Sequence, residues 1–295
     1  MAVSGAHLSW NLARDVHQLL AFHFMVNAFR AGGIVAVAAA LTGWFMVLRR
    51  QAFAGHTLAL VGFPGAAGAL WLGISVSWGY FGFCTAAALV IAAVPHGDGH
   101  GYSQESAGIG VVQAFALASG FLFVALHRGF LNGVNTLLFG SFLGVTDHQV
   151  VVLLIVAAAA LVALGIVGRP LLFASVDQSV ALARGVPVRP LSLLFLLLLG
   201  LTAAEVSQIT GTLLVFALLV MPAATAQLLT IRPVLSLALS VAIALVVTWA
   251  GLAVAYYSPY PIGFFVTTFG FAAYVVAAVV RRLAPALRSR GPVTP

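Results

Sequence analysis

The sequence predicts an all-α, polytopic membrane bundle of about eight or nine spanning helices, on three observations. Only 6% of its 295 residues are charged and 62% are hydrophobic, with a mean hydropathy of +1.13. Apolar runs of about 20 residues, the length that crosses a hydrocarbon core, recur along the whole chain. The arginines fall in alternate connections between those runs. A soluble domain carries about 25% charged residues. The composition therefore excludes a soluble globular enzyme, a disordered protein and a nucleic-acid-binding domain. The formal charge of +7 comes from 13 arginines and no lysine against 6 acids. These arginines are scattered rather than gathered on one face, so no nucleic acid partner is expected. Cys84 has no intrachain partner for a disulfide.

The elements follow in order. Residues 1–29, with Trp10, Arg14, Asp15 and His17 among apolar neighbours, read as an interfacial amphipathic segment without a cleavable signal. The first spanning run is Ala31 to Leu48, between Arg30 and the pair Arg49-Arg50, and opens a transmembrane domain over 30–283. Runs near 57–75, 79–95 and 107–127 come next. Gly129 to Gly144 is apolar, glycine-rich and too short to span, so a re-entrant or surface-lying piece is expected there. Runs near 149–168, 191–208, 211–229, 234–256 and 262–280 complete the set, and 284–295 reads as a disordered cytosolic tail.

Arginine asymmetry sets the expected orientation. With the N-terminus outside and nine crossings, Arg49, Arg50, Arg169, Arg184, Arg189, Arg232, Arg281, Arg282, Arg288 and Arg290 face the cytosol. Arg14, Arg30 and Arg128 stay outside. That is the positive-inside distribution for a multi-pass cell-membrane protein with a cytosolic C-terminus.

Several segments carry chemistry. Phe63-Pro64-Gly65-Ala66-Ala67 echoes Met221-Pro222-Ala223-Ala224, one in each half of the chain. Paired interruptions of this kind point to a central pathway, with Pro64, Gly65 and Pro222 shaping it. The loop from Arg169 to Pro190 holds a short surface helix, about 174–187, with Ser175 as N-cap and Asp177 in its first turn. Val176, Val180 and Ala183 recur at helical spacing, and Gly185 followed by Pro187 ends it. Such a helix suits docking to a cytosolic partner. Glu205 is an ionisable group inside a span, with Gln208 three residues on, and is a candidate oxygen ligand for a passing cation. His96-Gly97-Asp98-Gly99-His100 reads as a solvated polar turn, His23, His127 and His148 as membrane-edge residues, and Asp147 as a helix cap. No histidine is followed by glutamate, so no His-Glu-x-x-His zinc-protease motif exists, and no nucleophile elbow is present. An enzyme is not expected.

Four motifs in order then resemble a known family. They are Arg49-Arg50-Gln51-Ala52-Phe53-Ala54-Gly55-His56 running on to Phe63-Pro64-Gly65; Leu137-Leu138-Phe139-Gly140-Ser141; the loop bearing Asp177, Ala181 and Gly185; and Gly211-Thr212-Leu213-Leu214 through Met221-Pro222-Ala223-Ala224-Thr225-Ala226. The chain is similar to the permease subunit of ATP-binding-cassette importers for divalent metal ions, the zinc and manganese uptake class. The resemblance implies a dimeric permease, a separate cytosolic ATPase and an extracellular metal-binding protein. It also implies that Asp177, Ala181 and Gly185 belong to the helix that couples to the ATPase. No permanently bound cofactor is implied; the metal ion is cargo. This chain departs from the family at one place. Where the family has Asp and, four residues later, His, it has His56 and Leu60. Imidazole suits zinc, whereas manganese prefers oxygen donors, so His56 with Glu205 as metal ligands favours zinc over manganese. The alternatives are a siderophore or metal-chelate permease of the same class, and a stand-alone proton-coupled transporter working through Glu205 and His56.

Overall fold

A computed structural model describes residues 17–19, 21–94, 101–127, 137–140, 144–258 and 260–288, with 101–104 and 284–288 described by backbone alone. The expectations for residues 1–16, the His96 to His100 turn, most of Gly129 to Gly144 and the tail beyond 288 lie outside the described residues. Among the described residues, the helices that build the bundle are α1 (His23–Leu48), α2 (Ala52–Leu72), α3 (Val76–Ala93), α4 (Gly101–Leu126), α5 (Asp147–Val176), α6 (Gln178–Ala183), α7 (Val188–Thr210), α8 (Thr212–Leu229), α9 (Pro233–Tyr256) and α10 (Ile262–Arg288). Among the described residues, all but α6 are long and apolar enough to cross a membrane, nine in number. Helix is the form a span must take, because lipid offers backbone N–H and C=O groups no other partner.

The helix ends differ from the apolar runs where tertiary contacts extend them. The first span starts at His23, not Ala31, because it is tied to the start of α5. His23 Nε2 lies 2.9 Å from Asp147 Oδ2, and Asn27 Nδ2 donates to the Val145 carbonyl at 3.3 Å. Asp147 is not the cap of α5. Thr146 is, its hydroxyl accepting from Gln149 N at 3.3 Å while the Gln149 carboxamide accepts from Thr146 N at 3.0 Å. That capping box leaves Asp147 to His23. The last helix runs on to Arg288, so the segment from 284 to 288 is helical rather than disordered.

The bundle has an inside and an outside even within lipid. In its most apolar stretch α2 is 78% buried, whereas α4 is 17%. At the centre, α7 packs against α1, α2, α3, α5 and α8. Small residues make that closeness possible. A Cβ on Gly65 would run into the Gly79 carbonyl of α3, and one on Gly79 into Gly65 in return. Buried polar contacts fix the register elsewhere. Thr42 and Thr202 hydroxyls sit 3.2 Å apart between α1 and α7, and Trp44 Nε1 donates to Ser236 on α9 at 2.8 Å.

Candidate functional site

Three groups of sequence-predicted residues occupy three places in the bundle. The first is His56, one turn into α2. Its ring is half-buried and stands edge-on to Phe216 of α8 at 4.7 Å between centroids, and its Nδ1 is buried with no hydrogen-bond partner. Leu60, one turn further, offers no donor atom.

The second is Glu205 on α7. It is 0% exposed, and neither carboxylate oxygen has a hydrogen-bond partner. One turn earlier on that helix, Thr202 meets Thr42, which turns this face toward α1. Gln208 does not partner it. Its Oε1 accepts from Ser77 of α3 at 2.7 Å instead. Nor are His56 and Glu205 bonded to each other, and no cluster of three or more His, Cys, Asp or Glu is present among the described residues. Packing sets their relative depth. A Cβ on Gly62 would touch Ser207 and Thr212, while Cys84 bridges the levels of Leu58 and Gly200. At 1.5 Å per residue, Glu205 therefore sits about 8 Å further along the bundle than His56, toward the Asp147 end. They lie at two successive depths of the bundle rather than in one cluster.

Beyond Glu205 the polar face of α7 continues to a closed end that sequence reasoning missed. Thr212 carries another unpartnered buried hydroxyl. Gly211, at φ 73°, is the single residue joining α7 to α8, and the short segment Leu137 to Gly140 packs directly on it. A Cβ on Gly140, itself at φ 75°, would strike the backbone of Thr210, and one on Gly211 would strike that of Gly140. Backbone lies on backbone here, an approach only glycine permits. The glycine-rich wording of both motifs was the available signal.

The proline motifs are placed unequally. Pro64 and Gly65 lie inside α2 at its contacts with α3 and α4, where Gly120 faces Phe63 and Pro64. Gly62 is the residue of that run turned to α7 and α8. Pro222 is buried within α8, where Gly43 of α1 packs against the Leu219 carbonyl.

The third group is the short helix at the arginine end. It is α6, six residues from Gln178 to Ala183, narrower than 174–187. Its N-cap is Asp177, not Ser175: Asp177 Oδ1 accepts from Val180 N at 3.0 Å and from the Ser179 hydroxyl at 2.7 Å. Those bonds, the Val180 amide first, hold its carboxyl below the usual aspartate range. Ser175 is unavailable as a cap because it ends α5, bonded to the Leu171 carbonyl and to Arg49. Gly185 turns the chain at φ 79°. Ala181 is 0% exposed and seats the helix on the bundle. On α6 Val180, Leu182 and Ala183 are exposed, whereas Val176, expected on the same helical stripe, ends α5 and is separated from α6 by the extended backbone of Asp177.

The chain also has known relatives. A family model described as the ABC 3 transport family matches residues 21–281. The manganese transport system membrane protein MntC of Halalkalibacterium halodurans is 30% identical over 82% of this chain and 82% of its own length. The chelated iron transport system membrane protein YfeC of Yersinia pestis is 31% identical over 80% and 79%. Among solved structures, PsaBC from Streptococcus pneumoniae in complex with Fab superposes with a TM-score of 0.79 at 27% identity, over 90% of this chain and 95% of that one.

Proposed function

The chain belongs to the ABC 3 transport family, and from that premise we propose that it is the membrane-spanning permease of an ATP-driven importer whose cargo is a divalent metal ion, zinc ahead of manganese. The observation that carries the cargo reading is the pair of unpartnered donors, His56 and Glu205, on two of the most buried helices. A bare cation shedding its water needs such groups, and two stations about 8 Å apart let it move on rather than stay. The relatives named for manganese and chelated iron carry those cargoes in their own names. For this chain a nitrogen at 56 and leucine at 60 favour the ion that binds imidazole. The close approach of Gly62 to Ser207 and Thr212 suits a bare ion better than a chelate.

The arginine end faces the cytosol in this reading, and Val176 at the end of α5 with Val180 and Ala183 on α6 meet a separate ATPase. Asp177 and Gly185 hold that helix in shape, and Ala181 transmits its movement to the bundle. A second copy of the chain and an extracellular metal-binding protein complete the assembly.

Reconstitution tests it. Liposomes holding the permease with its ATPase are expected to take up radioactive zinc on addition of ATP, faster than manganese. The double change His56→Asp and Leu60→His is expected to reverse that order. Zinc accumulation by this polypeptide alone would instead favour the proton-coupled carrier, and faster manganese uptake by the unchanged protein would overturn the order of ions.

A further inference from the structure

We propose that the arginine end of the bundle carries a seat for a phosphate-bearing anion, the headgroup of an anionic phospholipid, in the cleft between the α1–α2 turn and the start of α6. This goes beyond the transport reading and does not depend on which ion is carried or in which direction. The cleft encloses about 230 Å³. Arg49, Arg50, Gln178 and Ser192 give it a polar wall, and Phe53 and Ile109 an apolar one.

Among the described residues, the hydrogen-bond partners of Arg49 carry no negative charge. Arg49 donates to Ser192 Oγ at 2.7 Å, to Ser175 Oγ at 3.3 Å and to Gln51 Oε1 at 3.3 Å, and its guanidinium lies 5.4 Å from the centre of the Phe195 ring. Every one of these partners is neutral. They hold the guanidinium in place and leave its positive charge uncompensated. Arg50, beside it, is exposed and held at φ 58°, the one non-glycine residue with positive φ among the described residues. A left-handed arginine is strained, and this one lines the same cavity as Arg49. Glu105 lines the same cavity and has an interaction of its own. Among the described lining residues, two arginines stand against this one carboxylate.

Depth and lining select the class of anion. The cleft opens where α1 ends at Leu48 and α2 starts at Ala52, the level of lipid headgroups. Basic pockets between membrane helices at that level bind acidic headgroups, and Phe53 and Ile109 would meet the first carbons below the phosphate. Arg49 ties the last turn of α5 to the first turn of α7, the two elements that flank α6. An occupied cleft therefore stiffens the mounting of α6.

The test uses the full-length permease with its ATPase in nanodiscs, of phosphatidylcholine alone or with phosphatidylglycerol. Native mass spectrometry is expected to find retained phosphatidylglycerol reduced about fivefold in Arg50→Asn. Asparagine tolerates the left-handed backbone, so the turn survives while the charge is lost. Arg50→Lys is expected to restore retention, and Gln178→Glu, on the opposite element, to reduce it. Inorganic phosphate, added to discs of phosphatidylcholine alone, is the second probe. If it raises the melting temperature of the unchanged protein but not of Arg50→Asn, and phosphatidylglycerol shows no preference, the seat stands with free phosphate as its source. Equal response of all variants to both probes overturns the proposal. So does weakened ATPase association in Arg50→Asn with no change toward either anion, which would give the cleft to an acidic side chain of the ATPase.

Discussion

Arg49 and Glu205 are both ionisable side chains drawn out of water, and the bundle treats them in opposite ways. Arg49 is met by three hydroxyl or amide oxygens and an aromatic ring; Glu205, at 0% exposure, is met by nothing that donates to it. A buried polar group normally finds partners, and leaving one without them costs several kcal/mol if it is charged. A side chain kept for architecture is therefore satisfied, as Arg49 is. In the proposed transport reading, Glu205, left unsatisfied on a central helix, is held for a partner that arrives from outside the chain.

Breaking the satisfied side should cost the most stability. Arg49→Ala removes charge-assisted bonds to α5, α7 and the α1–α2 turn. It is expected to destabilise the protein by about 3 kcal/mol, read as a lower melting temperature and less folded protein in the membrane. Breaking the unsatisfied side should leave the fold intact and strike transport. Glu205→Gln has the same shape and no internal bond to lose. Folded protein is expected at the normal level, with metal uptake down about tenfold or more. Normal uptake by that variant would return Glu205 to a purely structural role. Asp177 sharpens the contrast as a group that is partnered but exposed. Asp177→Ala is expected to weaken ATPase association by about threefold, measured by co-purification, with no change in melting temperature. Its carboxyl sits below the usual range, so the cap is fully formed above the ordinary aspartate value near about 3.9 and is lost as pH falls through the lower folded value. ATPase association should therefore show no step from this residue between about pH 8 and pH 5.

Much of the fold could be read from hydropathy alone, because lipid forces each long apolar run to be a helix. The number of spans and the ionisable group in α7 follow from that rule, whereas the stripe through Val176 does not, because the helix breaks at Asp177 between α5 and α6. Nor do the boundaries. His23 and Asn27 join α1 only because Asp147 and Val145, more than a hundred residues later, are there to receive them. Ser175 and Asp177 are both good caps by type, and what decides between them is that α5 runs on through Ser175, whose hydroxyl turns back to the Leu171 carbonyl and receives Arg49. The site was half legible for the same reason. His56 and Glu205 stand out by chemistry in an oily chain. Their separation along the bundle, the role of Gly62 and the meeting of Gly140 with Gly211 depend on how helices lie against one another, which no local pattern encodes.

The single-residue link at Gly211 limits how the bundle can rearrange. Two rods fastened at one tip cannot drift apart there, so α7 and α8 must swing about that tip as the legs of a compass do. In the proposed reading, force from the ATPase would arrive through α6 at the free ends of those legs, where leverage is greatest. The fastened tip must travel together with the Leu137 to Gly140 segment resting on it, or slide out from beneath it.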